Sequence, residues 1–319
     1  MSASPHPGPD GPLLLTERRG GVLLVTLNRP AKLNALSRVL QVQLTATLRE
    51  AAQDRAVRCV ILTGAGRGFC SGLDLSDFAG SLSSAALADQ PPQEAERSRK
   101  QRNVFEALEA LPMPAIAAVN GPAYTGGFEL ALACDLIIAA PEARFGDTHA
   151  ALAVMPGAGL SQKLSRLIGM PRAMAVSLAG QALTGEAAYR VGLVSHLVPL
   201  PRLLPLAWEL AGAIAALDPA FVADLKRLMK HGASLPLAEA LALERETHRQ
   251  WARTAQLGPI QARTGAVMAG NRAALVPEAV LVPEAALVRN AAPVPQAVHP
   301  GGAGAAPAAA SHPTPLERA

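Results

Sequence analysis

The stretch Val119-Asn-Gly-Pro-Ala-Tyr-Thr-Gly-Gly-Phe-Glu-Leu-Ala-Leu-Ala-Cys-Asp135 is the part of the chain around which the fold is organised. It continues an apolar run from Pro114 that predicts a buried strand. After a turn and the pair Gly126-Gly127, apolar residues four apart predict a helix. Because glycine has no Cβ, this strand-to-helix junction lets the backbone approach a ligand closely.

Glu129 is a charged residue among apolar ones in the first turn of that helix. One interpretation is that its carboxylate only complements the helix dipole. The other pairs it with an amide donor at Gly126, since the first amides of a helix lack partners inside it. Such a pair suits acid–base chemistry on a carbonyl compound.

Bulk properties exclude several classes of protein. Half of the 319 residues are hydrophobic, which is enough for a sizeable core, and a net charge of +4 is compatible with an anionic ligand. The sequence has no basic block with interleaved aromatic residues, the pattern that would indicate nucleic-acid binding. It also has no apolar run that reaches the roughly 18 residues of a membrane helix. The cysteines Cys59, Cys70 and Cys134 are odd in number and match no zinc spacing, so we expect no metal and a reducing, cytoplasmic location.

The segments before the central stretch predict strand, strand, helix and strand. Residues 13–18 and 22–27 form the first two strands, Ser37 is the N-cap of the helix, and residues 57–63 form the next strand. A glycine-rich loop follows, with backbone amides near Gly72 and Leu73 open to a ligand. It is not a dinucleotide-binding fingerprint, because Phe69 stands where the third glycine belongs.

The remaining segments indicate four regions. Residues 1–12 are a disordered N-terminus, 13–200 the core, 201–270 a region of long amphipathic helices, and 271–319 a disordered tail with 15 Ala and 8 Pro. A loop at 79–96 is interpreted either as a mobile lid or as a tolerated insertion. The tail contains the sequence Leu-Val-Pro-Glu-Ala twice. We interpret this repeat as low-complexity drift rather than as a docking motif.

Five pieces of this sequence, in order, resemble the enoyl-CoA hydratase/isomerase (crotonase) superfamily over roughly residues 13–265. They are Leu27-Asn-Arg-Pro-Ala-Lys-Leu-Asn-Ala-Leu36, Val60-Ile-Leu-Thr-Gly with Phe69-Cys-Ser-Gly-Leu-Asp74, the central stretch, Pro156-Gly-Ala-Gly159 and Ala187-Ala-Tyr-Arg-Val-Gly-Leu-Val194. The resemblance implies an α/β fold, a spiral of repeated ββα units. It also implies a C-terminal helical trimerisation region and a homotrimer or dimer of trimers.

The resemblance further implies an acyl-CoA thioester as substrate, with no separate cofactor. The backbone N–H groups of Leu73 and Gly126 would form the oxyanion hole that stabilises a thioester enolate. Residues that match the family's CoA and substrate contacts are Ala31, Lys32, Leu33, Gly72, Leu73, Asp74, Leu75 and Gly126.

Hydratases of this family use two glutamates, and here only one is present. The first falls on Glu129 and the second on His149. A histidine side chain is suited to be a general base near neutral pH, but it could equally shape the pocket or bond a backbone group. Asp147 is the poorer candidate, because along an extended segment it would lie at a different depth.

The resemblance therefore implies an enzyme, an enoyl-CoA hydratase that adds water to a 2-enoyl-CoA. An enoyl-CoA isomerase or another enolate reaction is the nearest alternative, since one base can suffice there. A non-catalytic acyl-CoA-binding protein, or a scaffold that acts through the tail, are alternatives of other classes.

Overall fold

The computed structural model describes residues 11–74, 77, 103–255 and 264. All of them belong to one compact unit, residues 1–275, and the second unit, 276–319, contains none of them. The predictions for residues 1–10, Leu75, the loop at 79–96 and the tail at 271–319 therefore lie outside the described residues.

The strands of the described residues are short and alternate with helices. They are β1 (Leu14–Arg19), β2 (Val22–Leu27), β3 (Cys59–Gly64), β4 (Ala115–Val119), β5 (Pro122–Tyr124), β6 (Leu136–Ala139), β7 (Arg144–Gly146), β8 (Leu183–Thr184) and β9 (His196–Leu197). A 3-10 turn covers Pro30–Lys32. The helices are α1 (Arg38–Gln53), α2 (Val104–Glu109), α3 (Gly126–Ala133), α4 (His149–Leu152), α5 (Leu160–Ile168), α6 (Met170–Leu178), α7 (Gly185–Arg190), α8 (Leu200–Ala215), α9 (Pro219–Gly232) and α10 (Leu237–Thr254).

Two sheets hold these strands. The larger has the order β1-β2-β3-β4-β6-β9, and the smaller has the order β5-β7-β8. The hairpin β1–β2 is antiparallel, as the glycines between the strands predict, and the rest of the larger sheet is parallel. Every residue of β3 and β4 is buried, because helices cover both faces of this sheet.

The two faces of the larger sheet have separate cores. On one face α1 packs Leu40, Leu44 and Leu48, all fully buried, and the Ser37 hydroxyl caps this helix by accepting the Leu40 N–H. On the other face α8 packs Leu203 and Ala207 among the isoleucines of the central strands. The four-residue spacing of leucines therefore identified the buried face of α1.

Successive ββα units repeat along the chain. The unit β4–β5–α3 is followed by β6–β7–α4, with β4 parallel to β6 in the larger sheet and β5 parallel to β7 in the smaller one. Each unit thus lays one strand on each sheet. The predicted spiral of ββα units is confirmed; the trimerisation role of the C-terminal helices stays a prediction.

The helices α9 and α10 bury no residue in the single chain. A largely buried ion pair, Lys226 Nζ to Asp135 Oδ2 at 2.7 Å, ties α9 to the core, and Lys226 also donates to the Met113 carbonyl at 2.9 Å. Within the described residues, no single helix is long and apolar enough to cross a membrane. Among the same residues, only α8 and α9 taken together have the length and composition of a membrane-spanning segment, and the chain bends by 106° between them.

Several elements differ from the sequence-based prediction, and β5 and α6 are two of them. The turn after Val119 contains a strand, β5, which Pro122 opens because the first residue of a strand tolerates a missing N–H. The helix α6 was missed because its exposed side is also apolar, so no contrast between a buried and a polar face marks it, although Pro171 in its first turn is a helix-start signal. The predicted helix at 97–110 is described only as Val104–Glu109.

Candidate active site

Two buried asparagines hold the glycine-rich loop that follows β3. Asn34 donates from Nδ2 to the carbonyls of Gly68 at 2.7 Å and Ala65 at 3.0 Å, and its Oδ1 accepts the Arg29 N–H. Asn120, from the turn after β4, donates to the Gly64 and Gly66 carbonyls at 2.9 Å. Side chains from two other loops therefore satisfy these carbonyls and set the path of residues 64–68.

The Leu73 amide is directed by a parallel bridge to Leu36. The Leu36 N–H donates to the Gly72 carbonyl at 2.8 Å, and the Leu36 carbonyl accepts the Asp74 N–H at 3.2 Å. In this pairing Leu36 is bonded to Gly72 and Asp74, the residues on either side of Leu73. The Leu73 N–H therefore points away from Leu36. Gly72 has φ +104°, a conformation that side chains disfavour.

The Gly126 amide begins α3 beside that of Leu73. A methyl group at Gly126 would lie 3.4 Å from the Leu73 nitrogen. Because a Cβ lies about 2.5 Å from its own amide nitrogen, the two nitrogens are at most about 6 Å apart. Among the described residues neither N–H donates a hydrogen bond, so both are open to an acceptor.

Thr125, immediately before Gly126, has a backbone conformation normally reserved for glycine, with φ 52° and ψ −113°. Its N–H donates to the Gly146 carbonyl at 2.9 Å, and its hydroxyl oxygen lies 2.5 Å from that of Thr148. The Thr148 N–H also donates to the Thr125 hydroxyl at 3.2 Å. These bonds attach the junction of β5 and α3 to the segment that leads into His149.

Glu129 is buried, and its carboxylate is engaged with another helix. Oε1 accepts the N–H groups of Ala158 at 2.9 Å and Leu160 at 3.3 Å, at the start of α5. The carboxylate is thereby held against the N-terminal end of α5. Among the described residues hydrogen bonds reach only Oε1, which leaves the lone pairs of Oε2 available to a proton.

His149 is buried and bonded to Asp147. The ring Nδ1 lies 2.7 Å from Asp147 Oδ1, and the His149 N–H donates to the same oxygen at 3.0 Å. The ranking of Asp147 as a poorer candidate assumed an extended segment. That assumption is wrong, because β7 ends at Gly146 and α4 begins at His149, so the chain turns between them. The Asp-x-His spacing is itself a turn signal, since an aspartate readily accepts the N–H two residues on.

The residues that match the family's CoA contacts lie next to the loop of Leu73. The Leu33 carbonyl accepts the Ser71 N–H at 2.9 Å, and the Lys32 carbonyl accepts the Ser71 hydroxyl at 3.3 Å. Ala31 and Lys32 are exposed. Asp74 pairs with Arg29 at 3.0 Å, so its carboxylate has a structural partner.

The cysteines are poor candidates for chemistry. Cys59, Cys70 and Cys134 are buried and free, and burial raises the pKa of each thiol to about 12. They are therefore protonated near neutral pH and are weak nucleophiles. The described residues contain no group of three or more His, Cys, Asp or Glu side chains that could hold a metal ion.

Comparison with known proteins identifies the family. A sequence model described as enoyl-CoA hydratase/isomerase matches residues 17–262. The probable enoyl-CoA hydratase 1, peroxisomal, of Arabidopsis thaliana is 41% identical over 227 residues, which are 71% of this chain and 82% of that protein. The 2,3-dehydroadipyl-CoA hydratase of Escherichia coli (strain K12) is 38% identical over 233 residues, 73% of this chain and 88% of that protein.

A solved structure agrees with the sequence comparison. The crystal structure of an enoyl-CoA hydratase from Bacillus anthracis superimposes with a TM-score of 0.70 at 34% identity, covering 80% of this chain and 97% of that one. The match extends through the ββα units that carry Leu73, Gly126, Glu129 and His149. The chain therefore belongs to the enoyl-CoA hydratase/isomerase family.

Proposed function

We propose that this chain is an enoyl-CoA hydratase, which adds water across the double bond of a 2-enoyl-CoA thioester. The observation that carries the proposal is the placement of the Leu73 and Gly126 amides side by side, both free of acceptors among the described residues. A thioester carbonyl oxygen bound there gains negative charge as an enolate forms. Fixed amide dipoles stabilise that charge without reorganising.

Glu129 takes the proton of the attacking water. Two amides hold Oε1 of its carboxylate, and Oε2 can accept a proton as the water oxygen bonds to Cβ. The electrons of the double bond move toward the thioester, and the enolate oxygen is held by Leu73 and Gly126. His149 then supplies a proton to Cα, which completes the addition of one water molecule.

The geometry connects these groups through short backbone segments. His149 opens the segment whose later residues, Ala158 and Leu160, donate to Glu129. Thr148, just before His149, is bonded to Thr125, just before Gly126. These hydrogen bonds thus link the backbone segments that carry the three groups.

For the acyl-CoA itself, we propose that Lys32 and the backbone of residues 31–33 bind the CoA portion. Lys32 is exposed at the edge of the loop that carries Leu73, and among the described residues it forms no ion pair, so its charge is available to a phosphate. If Lys32→Ala leaves the affinity for acyl-CoA unchanged, this assignment is wrong.

We also propose a homo-oligomer assembled through the C-terminal helices. In α9, Phe221, Leu225 and Met229 lie on one face at four-residue spacing and are 44–67% exposed. A soluble chain seldom leaves such a face uncovered. Light scattering should give a trimer or a multiple of three, and Leu225→Glu should shift it toward the monomer; a wild-type monomer at micromolar concentration contradicts the proposal.

The test of hydration is a product assay with purified full-length protein on 2-enoyl-CoA esters of several chain lengths. We expect loss of the conjugated thioester absorbance and a product heavier by one water, checked by mass spectrometry. Conversion of 3-enoyl-CoA without hydration would indicate an isomerase, and calorimetric binding without turnover would indicate a binding protein. His149→Glu is assayed alongside, since a large gain of hydration in that variant would contradict hydration as the natural reaction.

A further inference from the structure

We propose that Asp147 is a positioning residue, which fixes the ring of His149 with Nδ1 protonated and Nε2 left to carry the reacting proton. This inference rests on the proposed function of the same site and adds a residue to it. The family resemblance assigns no role to Asp147, and sequence reasoning ranked it below His149.

The bonding pattern determines the tautomer. Asp147 Oδ1 accepts two hydrogen bonds from one residue, the His149 N–H at 3.0 Å and the ring Nδ1 at 2.7 Å. An ionised carboxylate has no proton to donate, so Nδ1 must carry the hydrogen of the shorter bond. The other ring nitrogen, Nε2, is therefore the atom that can gain or lose a proton.

The surroundings keep this pair in place. The Asp147 side chain is 2% exposed and the His149 side chain 10%, so water competes weakly for the bond. The preceding residue, Gly146, packs against the Tyr124 ring so closely that a Cβ there would lie 2.3 Å from a ring carbon. The following residue, Thr148, is bonded to Thr125. The backbone on both sides of Asp147 is thus anchored.

The arrangement suits proton delivery to Cα. The Asp147 carboxylate stabilises the imidazolium that forms when Nε2 holds a second proton. During hydration the Nε2–H bond breaks as the H–Cα bond forms, while Nδ1 keeps its hydrogen and donates it to Asp147. The proton that Glu129 took from water returns to His149 through solvent after the product leaves, so no proton is gained or lost over a cycle.

The first measurement is ¹⁵N NMR of the ring nitrogens in the wild-type protein, with His149 assigned by its loss in His149→Gln. We expect the neutral ring to carry its proton on Nδ1. A neutral ring protonated on Nε2 would overturn the proposal whatever the activity is. This measurement needs no turnover and no Asp147 variant.

The second measurement uses Asp147→Asn, which keeps the shape and removes the charge. We expect the ¹⁵N spectrum of His149 to lose its preference for the Nδ1–H tautomer, because an amide beside Nδ1 no longer requires a donor there. We expect kcat to fall about 100-fold with KM changed less than about threefold, since Asp147 acts on a proton-transfer step. Glu142→Gln, which removes an exposed carboxylate from the turn before β7, is the matched control and should change neither quantity.

An unchanged tautomer preference and kcat in folded Asp147→Asn would refute the positioning role. If the wild-type protein does not hydrate any ester while its Nδ1–H tautomer is observed and is lost in Asp147→Asn, the proposed function fails and the structural role of Asp147 stands. If hydration is observed with the Nε2–H tautomer, the proposed function stands and this inference fails.

Discussion

The hydroxyl oxygens of Thr125 and Thr148 lie 2.5 Å apart and join the loop of the Gly126 amide to the segment of His149. Thr125 makes this contact from φ 52° and ψ −113°, where a β-branched residue is strained. The strain is tolerated because its N–H is also bonded to Gly146. One residue therefore links the candidate oxyanion hole to the segment that carries His149, the candidate proton donor.

The strain at Thr125 predicts an unusual order of stability for two variants. Thr125→Ala and Thr125→Gly both lose the bond to Thr148, but only the glycine relieves a backbone conformation that costs about 1–3 kcal/mol. The greater chain entropy of unfolded glycine offsets roughly 0.5–1 kcal/mol of this. We expect Thr125→Gly to be more stable than Thr125→Ala by about 1 kcal/mol in urea unfolding. The reverse order would show that the residue is not strained.

Neighbouring glycines predict opposite outcomes for the same substitution. In Gly126→Ala the methyl group has ordinary contacts of 3.4 Å or more, so the protein should fold with stability within about 1 kcal/mol of the wild type. That methyl group lies beside the space between the Leu73 and Gly126 nitrogens, so hydration should fall about 100-fold or more.

In Gly127→Ala the methyl group would lie 1.9 Å from the Cys70 carbonyl oxygen, so we expect little soluble, folded protein. Thermal unfolding and the hydration assay compare the two variants. Full activity in Gly126→Ala would contradict the placement of the oxyanion between these amides.

Replacing Glu129 separates its chemistry from its hydrogen bonds. In Glu129→Gln the carbonyl oxygen still accepts the Ala158 and Leu160 N–H groups, but the side chain cannot take a proton. We expect hydration to fall about 100-fold or more with stability close to the wild type.

Glu129→Ala should lose activity and also stability. The N–H groups of Ala158 and Leu160 would be left without their acceptor. Each such group that water cannot reach lowers the free energy of unfolding by about 1–3 kcal/mol. Denaturant unfolding of both variants beside the wild type checks this. A Gln variant with wild-type turnover would remove Glu129 from the mechanism.

The buried thiols predict a loss of stability at alkaline pH. Burial raises the pKa of Cys59, Cys70 and Cys134 from 9.0 to about 12, so between these values the unfolded chain has released protons that the folded chain keeps. The free energy of unfolding therefore falls as pH rises through this window, by up to about 1.4 kcal/mol per pH unit for each thiol.

The corresponding measurement is urea unfolding at pH 8, 9 and 10 for the wild type and for Cys70→Ala, whose slope against pH should be shallower. At pH 8 a thiol reagent should label no cysteine in the folded protein and three after unfolding. Rapid labelling of the native protein at pH 8 would contradict the burial of these side chains.

Much of the fold was predictable because its signals are local. The leucines of α1 repeat every four residues, Ser37 caps that helix, and two glycines mark the β1–β2 hairpin. The strand β5 and the helix α6 were not predictable in this way. The three-residue strand β5 depends on its pairing with β7 and on the bridge of Ala123 to Cys70. The exposed Met170 and Met174 of α6 extend its apolar arc beyond the buried face, which the sequence pattern then no longer distinguishes.

The sequence by itself determined which residues are the candidates for chemistry and to which family the chain is similar. Gly126, Glu129 and His149 lie in sequence motifs, and the order of these motifs along the chain is sufficient to indicate the family and the candidate residues. Only the tertiary structure decided how they are used. It brings the Leu73 amide beside that of Gly126, places the start of α5 on Glu129, and turns Asp147 onto the ring of His149. The physical reason is that these relationships join segments distant in the chain or depend on a local turn, and neither leaves a periodic pattern in the sequence.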